Sequence, residues 1–242
     1  EVRERAIENP PDPKDEIVVQ LDNITELKRT LKIHLKKWNQ RIAGVACFDC
    51  ESMETASKLA AICKVDYPDI HSIRNCRDKY LSKQIWEENG VRCPSVCPVN
   101  SPEETIDFLR TCKNGIVLKP FCGSGSELVF YCKFPSDCEY AFEVLKNGLV
   151  KRRQNRLFNQ ESVQNYFVLA EEYVSGPEYS CDFIVENKRI TIIRLSRKIK
   201  SSNQPFGTVS GYILPATLPD LMSTLGFETV LLNAARSLGL TK

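Results

Sequence analysis

Three carboxylates flank a tight turn in the stretch LAEEYVSGPEYSCDF, residues 169–183. Glu171 and Glu172 precede a Ser-Gly-Pro turn, and Glu178 follows it at the start of a second alternating run. An ionised carboxylate only accepts hydrogen bonds, and its two oxygens suit a pair of neighbouring hydroxyls. The turn would let the chain leave one strand and return beside it. The simpler interpretation, three solvated charges at strand ends, stays open.

A lysine and a glycine-rich turn form a second candidate for chemistry. Lys119 lies near the end of the apolar run GIVLKP, residues 115–120, and the turn FCGSGSE follows. A lysine at the end of a buried strand loses hydration unless it meets an anion. The N–H groups of a Gly/Ser turn can surround phosphate oxygens. The turn matches neither a Walker P-loop nor a dinucleotide fingerprint, and considered alone it also fits a flexible hairpin.

The elements that must position these residues alternate between strand and helix patterns. In the N-terminal part, residues 15–22 and 42–48 have the composition of strands. Residues 23–39 and 52–65 carry apolar side chains at helical spacing. This order predicts an α/β unit with a parallel sheet.

The rest of the chain continues this alternation of elements. Helices are predicted at 77–90, 101–112 and 136–149, and from about Pro219 to Leu238. Strands are predicted at 115–120 and 128–133 and in the three runs YFVLAEEYV, EYSCDFIVE and RITIIRLSRKI. A short turn at 187–188 joins the last two runs as a hairpin. The positioning elements are therefore mixed α and β.

In this order, the motifs resemble those of the ATP-grasp superfamily, and in particular its carboxylate–amine ligases. The resemblance runs from about Asp15 to the C-terminus. The stretches that carry it are RDKYLSK, VLKP with GSGS, AEEYVSGPEYS and GYILPATLP. Each stretch is modest alone, and together they are a specific signal.

The resemblance implies a nucleotide site around the stretch that holds the three carboxylates. It implies that Glu171 lies near the adenine amino group, and that the backbone of Glu172 and of Val174 binds the adenine edge. It implies that Glu178 binds the ribose hydroxyls. The chemistry is compatible, because a carboxylate suits a diol and a strand edge offers one donor and one acceptor.

The resemblance also implies which residues bind the phosphates. Lys79 and Lys119 would reach them, although a helix-surface role for Lys79 stays open. The small lid over the phosphates would consist of Gly123, Ser124, Gly125 and Ser126. A second, larger loop, RKIKSSNQPFGTVSG at 197–211, would close over the acyl phosphate and the substrate, and its candidate catalytic residues are Lys198 and Lys200, with Arg197 beside them.

The fold implied by the resemblance is α/β, with α+β lobes. We expect an N-terminal Rossmann-like domain preceding the ATP-grasp lobes at 1–75, a small lobe at 76–173 and a large lobe at 174–242. The family's Mg²⁺-binding acids and its acyl-phosphate arginine map beyond Lys242, so no metal ligand is assigned in this chain. The expectation is therefore an incomplete domain that is inactive by itself.

The implied reaction is ADP-forming ligation of a small carboxylate to an amine through an acyl phosphate, with ATP and Mg²⁺ as cofactors. Two alternatives stay open. One is an enzyme of the biotin-carboxylase or carbamoyl-phosphate-synthase kind, and the other is a nucleotide-binding module without catalysis. Whether the protein is a homodimer also stays open.

Composition limits the partners and the compartment. The formal net charge is +2, from 33 Lys+Arg against 31 Asp+Glu, and this near-balance argues against nucleic acid or a membrane surface as a partner. The 11 cysteines are odd in number and include a single C-x-x-C, at Cys47 and Cys50. Packed, reduced thiols in the cytoplasm fit these cysteines better than a zinc site does.

Overall fold

The computed structural model describes residues 10–158, 168–187, 189–201, 205–218 and 224–240. Contacts divide the chain into two units, Glu1–Ile70 and His71–Lys242. Among the described residues, no helix has the length and apolar character that crossing a bilayer requires. The boundary predicted between a small and a large lobe, at residue 174, stays a prediction.

The described part of the first unit, from residue 10 onward, contains two helices, α1 (Ile24–Trp38) and α2 (Met53–Cys63). Asn23 caps α1, because its side-chain oxygen accepts a hydrogen bond from the backbone N–H of Glu26 at 3.0 Å. Such a cap satisfies one of the donors that the first turn of a helix leaves unpaired. Both predicted helices of this unit are confirmed.

The two strands predicted for the first unit are absent. Residues 15–22 and 42–48 have no strand structure, and the ring of Phe48 is fully exposed. A buried parallel strand needs neighbouring strands to take its backbone hydrogen bonds. The described part of this unit, residues 10–70, contains no such strand. A short apolar run does not by itself specify a strand, and the predicted parallel sheet is wrong here.

The second unit contains a four-stranded antiparallel sheet. Its order is β1-β4-β2-β3. The strands are β1 (Val96–Val99), β2 (Ile116–Lys119), β3 (Phe130–Cys132) and β4 (Val168–Glu172). The two strands predicted at 115–120 and 128–133 form the β2–β3 hairpin, so the turn GSGS is the hairpin connection.

The described part of the second unit also contains helices, two of which begin with side-chain caps. They are α3 (Ile70–Arg77), α4 (Lys79–Glu88), α5 (Pro102–Thr111) and α6 (Pro135–Lys151), with a 3₁₀ turn at Arg156–Phe158 and α7 (Thr224–Ser237). The side chain of Asp78 accepts hydrogen bonds from the first two free N–H groups of α4. Ser101 caps α5 in the same way, and proline stands at the first position. Both caps fix where their helices start.

One face of the four-stranded sheet holds the core of the second unit. Ile116 and Leu118 of β2 point to this face and are fully buried. Phe142 and Leu145 of α6 pack into the same cluster. Period-two alternation then sends the intervening residues of each strand to the opposite face. That opposite face carries the candidate site.

A second, three-stranded antiparallel sheet completes the described fold. Its order is β5-β6-β7. The strands are β5 (Tyr179–Glu186), β6 (Arg189–Lys200) and β7 (Val209–Ile213). Ile184 and Ile193 are exposed on these strands, whereas Ser196 is fully buried. The strands predicted in EYSCDFIVE and RITIIRLSRKI are confirmed.

Some predicted elements reach outside the described residues. The turn at 187–188 includes Lys188, which lies outside them, and the described residue Asn187 has a φ of 50°. The predicted C-terminal helix is described over Thr224–Ser237, while its expected start at Pro219 lies outside. Residues 202–204 of the larger loop also lie outside the described part of the chain.

We predict that Phe142→Ala strongly destabilises the second unit. Phe142 is 1% exposed at the centre of the core, and a cavity left by a buried phenylalanine costs about 3–5 kcal/mol. The exposed Tyr140 on the same helix is the matched control, and Tyr140→Ala should change the free energy of unfolding by only about 0.5 kcal/mol. Urea unfolding measures both variants, and equal losses would contradict the assigned core.

Candidate functional site

Strand register places the predicted charged residues on the face opposite the core. Glu171 of β4 lies directly across from Val117 of β2, and Val117 lies across from Tyr131 of β3. Residues directly opposite in an antiparallel pair share a face. Lys119 is two residues from Val117 and therefore points the same way. Glu171 and Lys119 thus meet on one side of the sheet.

Glu171 forms the centre of a buried ion cluster with two lysines. Its Oε2 atom lies 2.7 Å from Lys119 Nζ and 3.0 Å from Lys83 Nζ. All three side chains are only 13–14% exposed. Both contacts are ion pairs to one buried oxygen. The two lysines hold the carboxylate in place, but they do not use all of its hydrogen-bonding capacity. It can therefore still accept hydrogen bonds from a ligand.

Sequence reasoning missed Lys83. Its only signal is its position, four residues after Lys79 on the same helix, which places the two side chains on one face of α4. In the structure the helix supplies both lysines to the side of the sheet that carries Glu171. The motif RDKYLSK therefore contributes two cations to this face, and not one.

Lys79 reaches the Gly/Ser turn at the first position of α4. Its Nζ lies 3.2 Å from the carbonyl oxygen of Gly123 and 3.4 Å from that of Phe121. Its backbone N–H also donates to the Phe121 carbonyl, at 3.1 Å. Burial lowers the pKa of Lys79 and also that of Lys119. A bound anion would favour the charged form of both groups.

The Gly/Ser turn has a backbone that few residue types adopt. Gly123 and Gly125 have φ values of 141° and 70°, and Ser126 has a φ of 60°. The Ser126 hydroxyl donates a 2.8 Å hydrogen bond to the carbonyl oxygen of Gly207, in the larger loop. The predicted small lid and the predicted large loop therefore touch each other. Ser124 lies between the two glycines, exposed to solvent.

We call Glu172, Tyr173 and Val174, at the end of β4, the hinge. Some of the backbone groups of the hinge already form hydrogen bonds within the protein. The backbone N–H of Glu172 donates to the Ser95 carbonyl at 2.9 Å, and that of Tyr173 donates to the Gly115 carbonyl at 3.0 Å. Val174 is exposed just beyond β4. The N–H of Glu172 already has a partner, so a base would meet the hinge through other backbone groups, such as those of Val174.

Glu178 forms a second ion cluster on the three-stranded sheet. Its two oxygens lie 2.6 Å from Lys198 Nζ and 2.9 Å from Lys200 Nζ. Burial raises the pKa of the Glu178 carboxyl, but hydrogen bonds to both lysines outweigh burial and lower it. Arg197 is exposed, and alternation sends it to the other face of β6. The predicted ribose acid and both predicted catalytic lysines thus lie together.

Three aromatic rings that sequence reasoning did not select lie beside the hinge. We call Tyr131, Tyr173 and Phe206 the aromatic trio. The ring of Phe206 stacks on that of Tyr131 with centroids 5.5 Å apart, and it meets the ring of Tyr173 edge-on at 6.0 Å. The two tyrosines lie 4.7 Å apart. The larger loop is therefore packed against both the hairpin and the hinge.

A bound metal ion would need several His, Cys, Asp or Glu side chains close together. Within residues 10–158 and the later described ranges, no group of three His, Cys, Asp or Glu side chains could hold a metal ion. Mg²⁺ is therefore assigned to no side chain of this part of the chain. Three of the cysteines, Cys122, Cys132 and Cys138, are buried, in keeping with a packing role.

The Glu178 cluster gives a prediction for the pH dependence of stability. A carboxyl whose pKa is lowered on folding stabilises the protein above its ordinary value of 4.5, and this contribution is lost as the pH falls through the lower folded value. We expect Glu178→Gln to be less stable than wild type at pH 7, with the difference shrinking below about pH 4.5. Urea unfolding at several pH values measures it. The exposed Glu143→Gln is the control, and a difference that did not shrink in acid would contradict the pairing.

Comparisons with known proteins identify relatives of this chain. A family described as ATP-grasp domain matches residues 112–242. A D-alanine–D-alanine ligase of Acidovorax ebreus (strain TPSY) is 22% identical over 178 residues, which are 71% of this chain and 48% of that protein. An L-amino acid ligase from Bacillus licheniformis superposes with a TM-score of 0.65 at 17% identity, over 91% of this chain and 48% of the other.

A third relative is described as a complex with nucleotide. It is the biotin carboxylase domain of a Hydrogenobacter thermophilus 2-oxoglutarate carboxylase, with MgADP, ADP and bicarbonate. It superposes with a TM-score of 0.65 at 18% identity, over 94% of this chain and 48% of the other. The chain thus spans about half the length of these relatives.

The structural matches confirm the predicted fold class, a mixed α/β ATP-grasp fold. At these identities they establish the fold alone. The family match is different in kind, because it covers residues 112–242, more than half of the sequence, and includes strands β2 to β7 and the stretch that holds the three carboxylates. The chain belongs to the ATP-grasp domain family.

Proposed function

We propose that this chain binds ATP on the face of the four-stranded sheet that carries Glu171. The observation that supports this most directly is the buried ion cluster. Three ammonium groups, of Lys79, Lys83 and Lys119, lie around the carboxylate of Glu171, and the buried carboxylate of Asp78 at the start of α4 is the other acid that acts on Lys79. Burying more positive than negative charge is unfavourable unless an anion completes the site.

The pKa directions support a polyphosphate as that anion. Burial lowers the pKa of Lys79 and of Lys119, so both would gain from a negative charge nearby. The Gly/Ser turn, next to Lys79, offers backbone N–H groups in conformations that suit phosphate oxygens. Lysines and turn together favour the phosphate end of a nucleotide over a simple carboxylate.

The base and the ribose would occupy the hinge side of the site. Glu171 offers a buried acceptor for an amino group, and exposed Val174 offers backbone groups to a base edge. Glu178 offers two acceptors to the ribose hydroxyls. Because Lys198 and Lys200 already bind these acceptors, the sugar would share Glu178 with them or displace one. These assignments are proposals for each residue.

For the complete gene product, we propose an ADP-forming carboxylate–amine ligase. A carboxylate oxygen would attack the γ-phosphorus of ATP, giving an acyl phosphate and ADP. The amine would then attack the acyl carbon, forming the amide and expelling phosphate, with the amine proton passing to solvent or to a base. Lys198 and Lys200 would balance charge on the transferring group.

Mg²⁺, when bound, would neutralise charge on the phosphates. No described residue set fits it, so none of the steps above is routed through the metal. We further propose that the 242-residue chain does not turn over by itself, since it spans only about half the length of its relatives. A cytoplasmic location is also a proposal, supported by eleven free cysteines.

Nucleotide binding is the first prediction from this proposal. Calorimetry should show ADP binding to wild type, and Lys119→Ala combined with Glu178→Ala should abolish it, because the phosphate and ribose contacts are both removed. The control pair, Lys58→Ala with Glu143→Ala, makes the same charge changes on exposed helix positions and should bind like wild type. Binding that survives the first pair unchanged would contradict the site.

Turnover is the second prediction. The complete gene product should release ADP in the presence of an amino acid and an amine, and the 242-residue chain should not. An ADP-release assay over a panel of amino acids tests this, with bicarbonate as a separate arm. Release with bicarbonate alone would favour a carboxylase, and no release with any pair would favour a non-catalytic module. Release by the 242-residue chain would show that it is sufficient for catalysis.

A further inference from the structure

Lys83 is a buried lysine. The phosphate and ribose contacts proposed above assign it no role of its own. It lies on α4, one turn after Lys79, and its side chain is 13% exposed. The two lysines differ in their partners. Lys79 reaches backbone carbonyls at the Gly/Ser turn, whereas Lys83 reaches the carboxylate of Glu171. Lys83 therefore lies on the base side of the cluster, away from the turn.

The surroundings of Lys83 hold it in this place. Its Nζ lies 5.7 Å from the centre of the Trp86 ring, a favourable position for a cation over an indole. Trp86 is itself fixed, because its ring N–H donates to the Ala234 carbonyl of α7 at 3.1 Å. The thiol of Cys93 donates to the Lys83 carbonyl at 3.6 Å. The side chain of Lys83 thus lies against an aromatic ring, and its backbone carbonyl is hydrogen-bonded. The fold therefore fixes the position of Lys83.

The two lysines that pair with Glu171 bind the same oxygen. The contacts of Lys83 and Lys119 with Glu171, at 3.0 and 2.7 Å, are both to Oε2. Oε1 is therefore the oxygen that a ligand donor would meet. Lys83 and Lys119 hold the Glu171 carboxylate from one side and so fix its orientation. Supporting residues commonly orient a binding group in this way.

The ion pairs of Glu171 would change when a nucleotide binds. If Lys119 turns toward the phosphates, as the proposed function requires, Glu171 loses its nearest cation. Lys83 then remains as the partner of a buried carboxylate, and a buried carboxylate without a partner is strongly unfavourable. The cluster thus contains one lysine that can leave for the ligand and one that can stay.

We propose that Lys83 is a positioning residue for base selection. It holds Glu171 so that Oε1 accepts a hydrogen bond from the exocyclic amino group of adenine, and this makes the site select a 6-amino purine over a 6-oxo purine. The inference rests on the proposed nucleotide binding and deepens it, because it names a residue that determines which base fits.

The physical reason for selectivity is a mismatch of acceptors. An oxo group at position 6 presents an oxygen to the Glu171 oxygen, so no hydrogen bond forms and two partial negative charges face each other. A site that is built to bond an amino group rejects the analogue without it more strongly than an apolar pocket would. Selectivity is lost when the carboxylate is no longer held in place.

The test compares ADP with inosine 5′-diphosphate, which has the same ribose and phosphates but a 6-oxo group. Calorimetry on the 242-residue chain gives both dissociation constants for wild type, Lys83→Met and Lys79→Met. In wild type we expect ADP to bind at least about tenfold more tightly. In Lys83→Met this ratio should fall to near one, whereas in Lys79→Met both affinities should fall together and the ratio should persist.

The possible results separate the two proposals. Binding of neither nucleotide to wild type overturns the proposed function and this inference with it. If Lys83→Met binds ADP tightly and keeps the wild-type ratio of the two dissociation constants, the inference alone is overturned. It is also overturned if wild type binds ADP and inosine 5′-diphosphate equally well. If Lys83→Met does not fold, Lys83→Arg replaces it. Arginine keeps the charge but alters its geometry, so the ratio should fall only in part, and an unchanged ratio counts against the inference.

Discussion

One buried carboxylate, that of Glu171, connects the elements of the second unit that form the candidate site. Glu171 comes from β4, Lys119 from the neighbouring β2, and Lys83 from helix α4, so one ion cluster joins two strands and a helix on the face opposite the core. Such a cluster contributes little net stability compared with apolar packing, yet removing one member leaves a charge stranded. The apolar core on the other face stabilises the sheet, and the ion cluster places charge on the face where we propose that a nucleotide binds.

Much of this arrangement could be predicted from sequence because it follows from local rules. Alternation along β4 separates Glu171 from the core residues, and capping chemistry fixes the start of α4 at Asp78. Lys83 could not be selected in the same way. Its helical spacing from Lys79 was visible, but its partner is more than eighty residues away in the chain, and only the packed fold reveals which carboxylate it meets.

The N-terminal unit illustrates the opposite case. Residues 42–48 are apolar enough to form a buried strand, but composition does not supply the neighbouring strands that a strand needs. In the described structure these residues remain unpaired, and Phe48 faces solvent. The aromatic trio was missed for a related reason. Its rings come from three distant segments, and no periodicity connects a loop phenylalanine with two tyrosines.

The aromatic trio has a consequence for the rate of binding. The trio links the β2–β3 hairpin and the end of β4 to the larger loop, and the bond from Ser126 to the Gly207 carbonyl adds to this link. Such contacts stabilise the docked position of the loop by about 2 kcal/mol. An open form, with the loop undocked, would then be only a few per cent of the population. A ligand that enters through the open form would associate slowly for its size, and once enclosed it would also leave slowly.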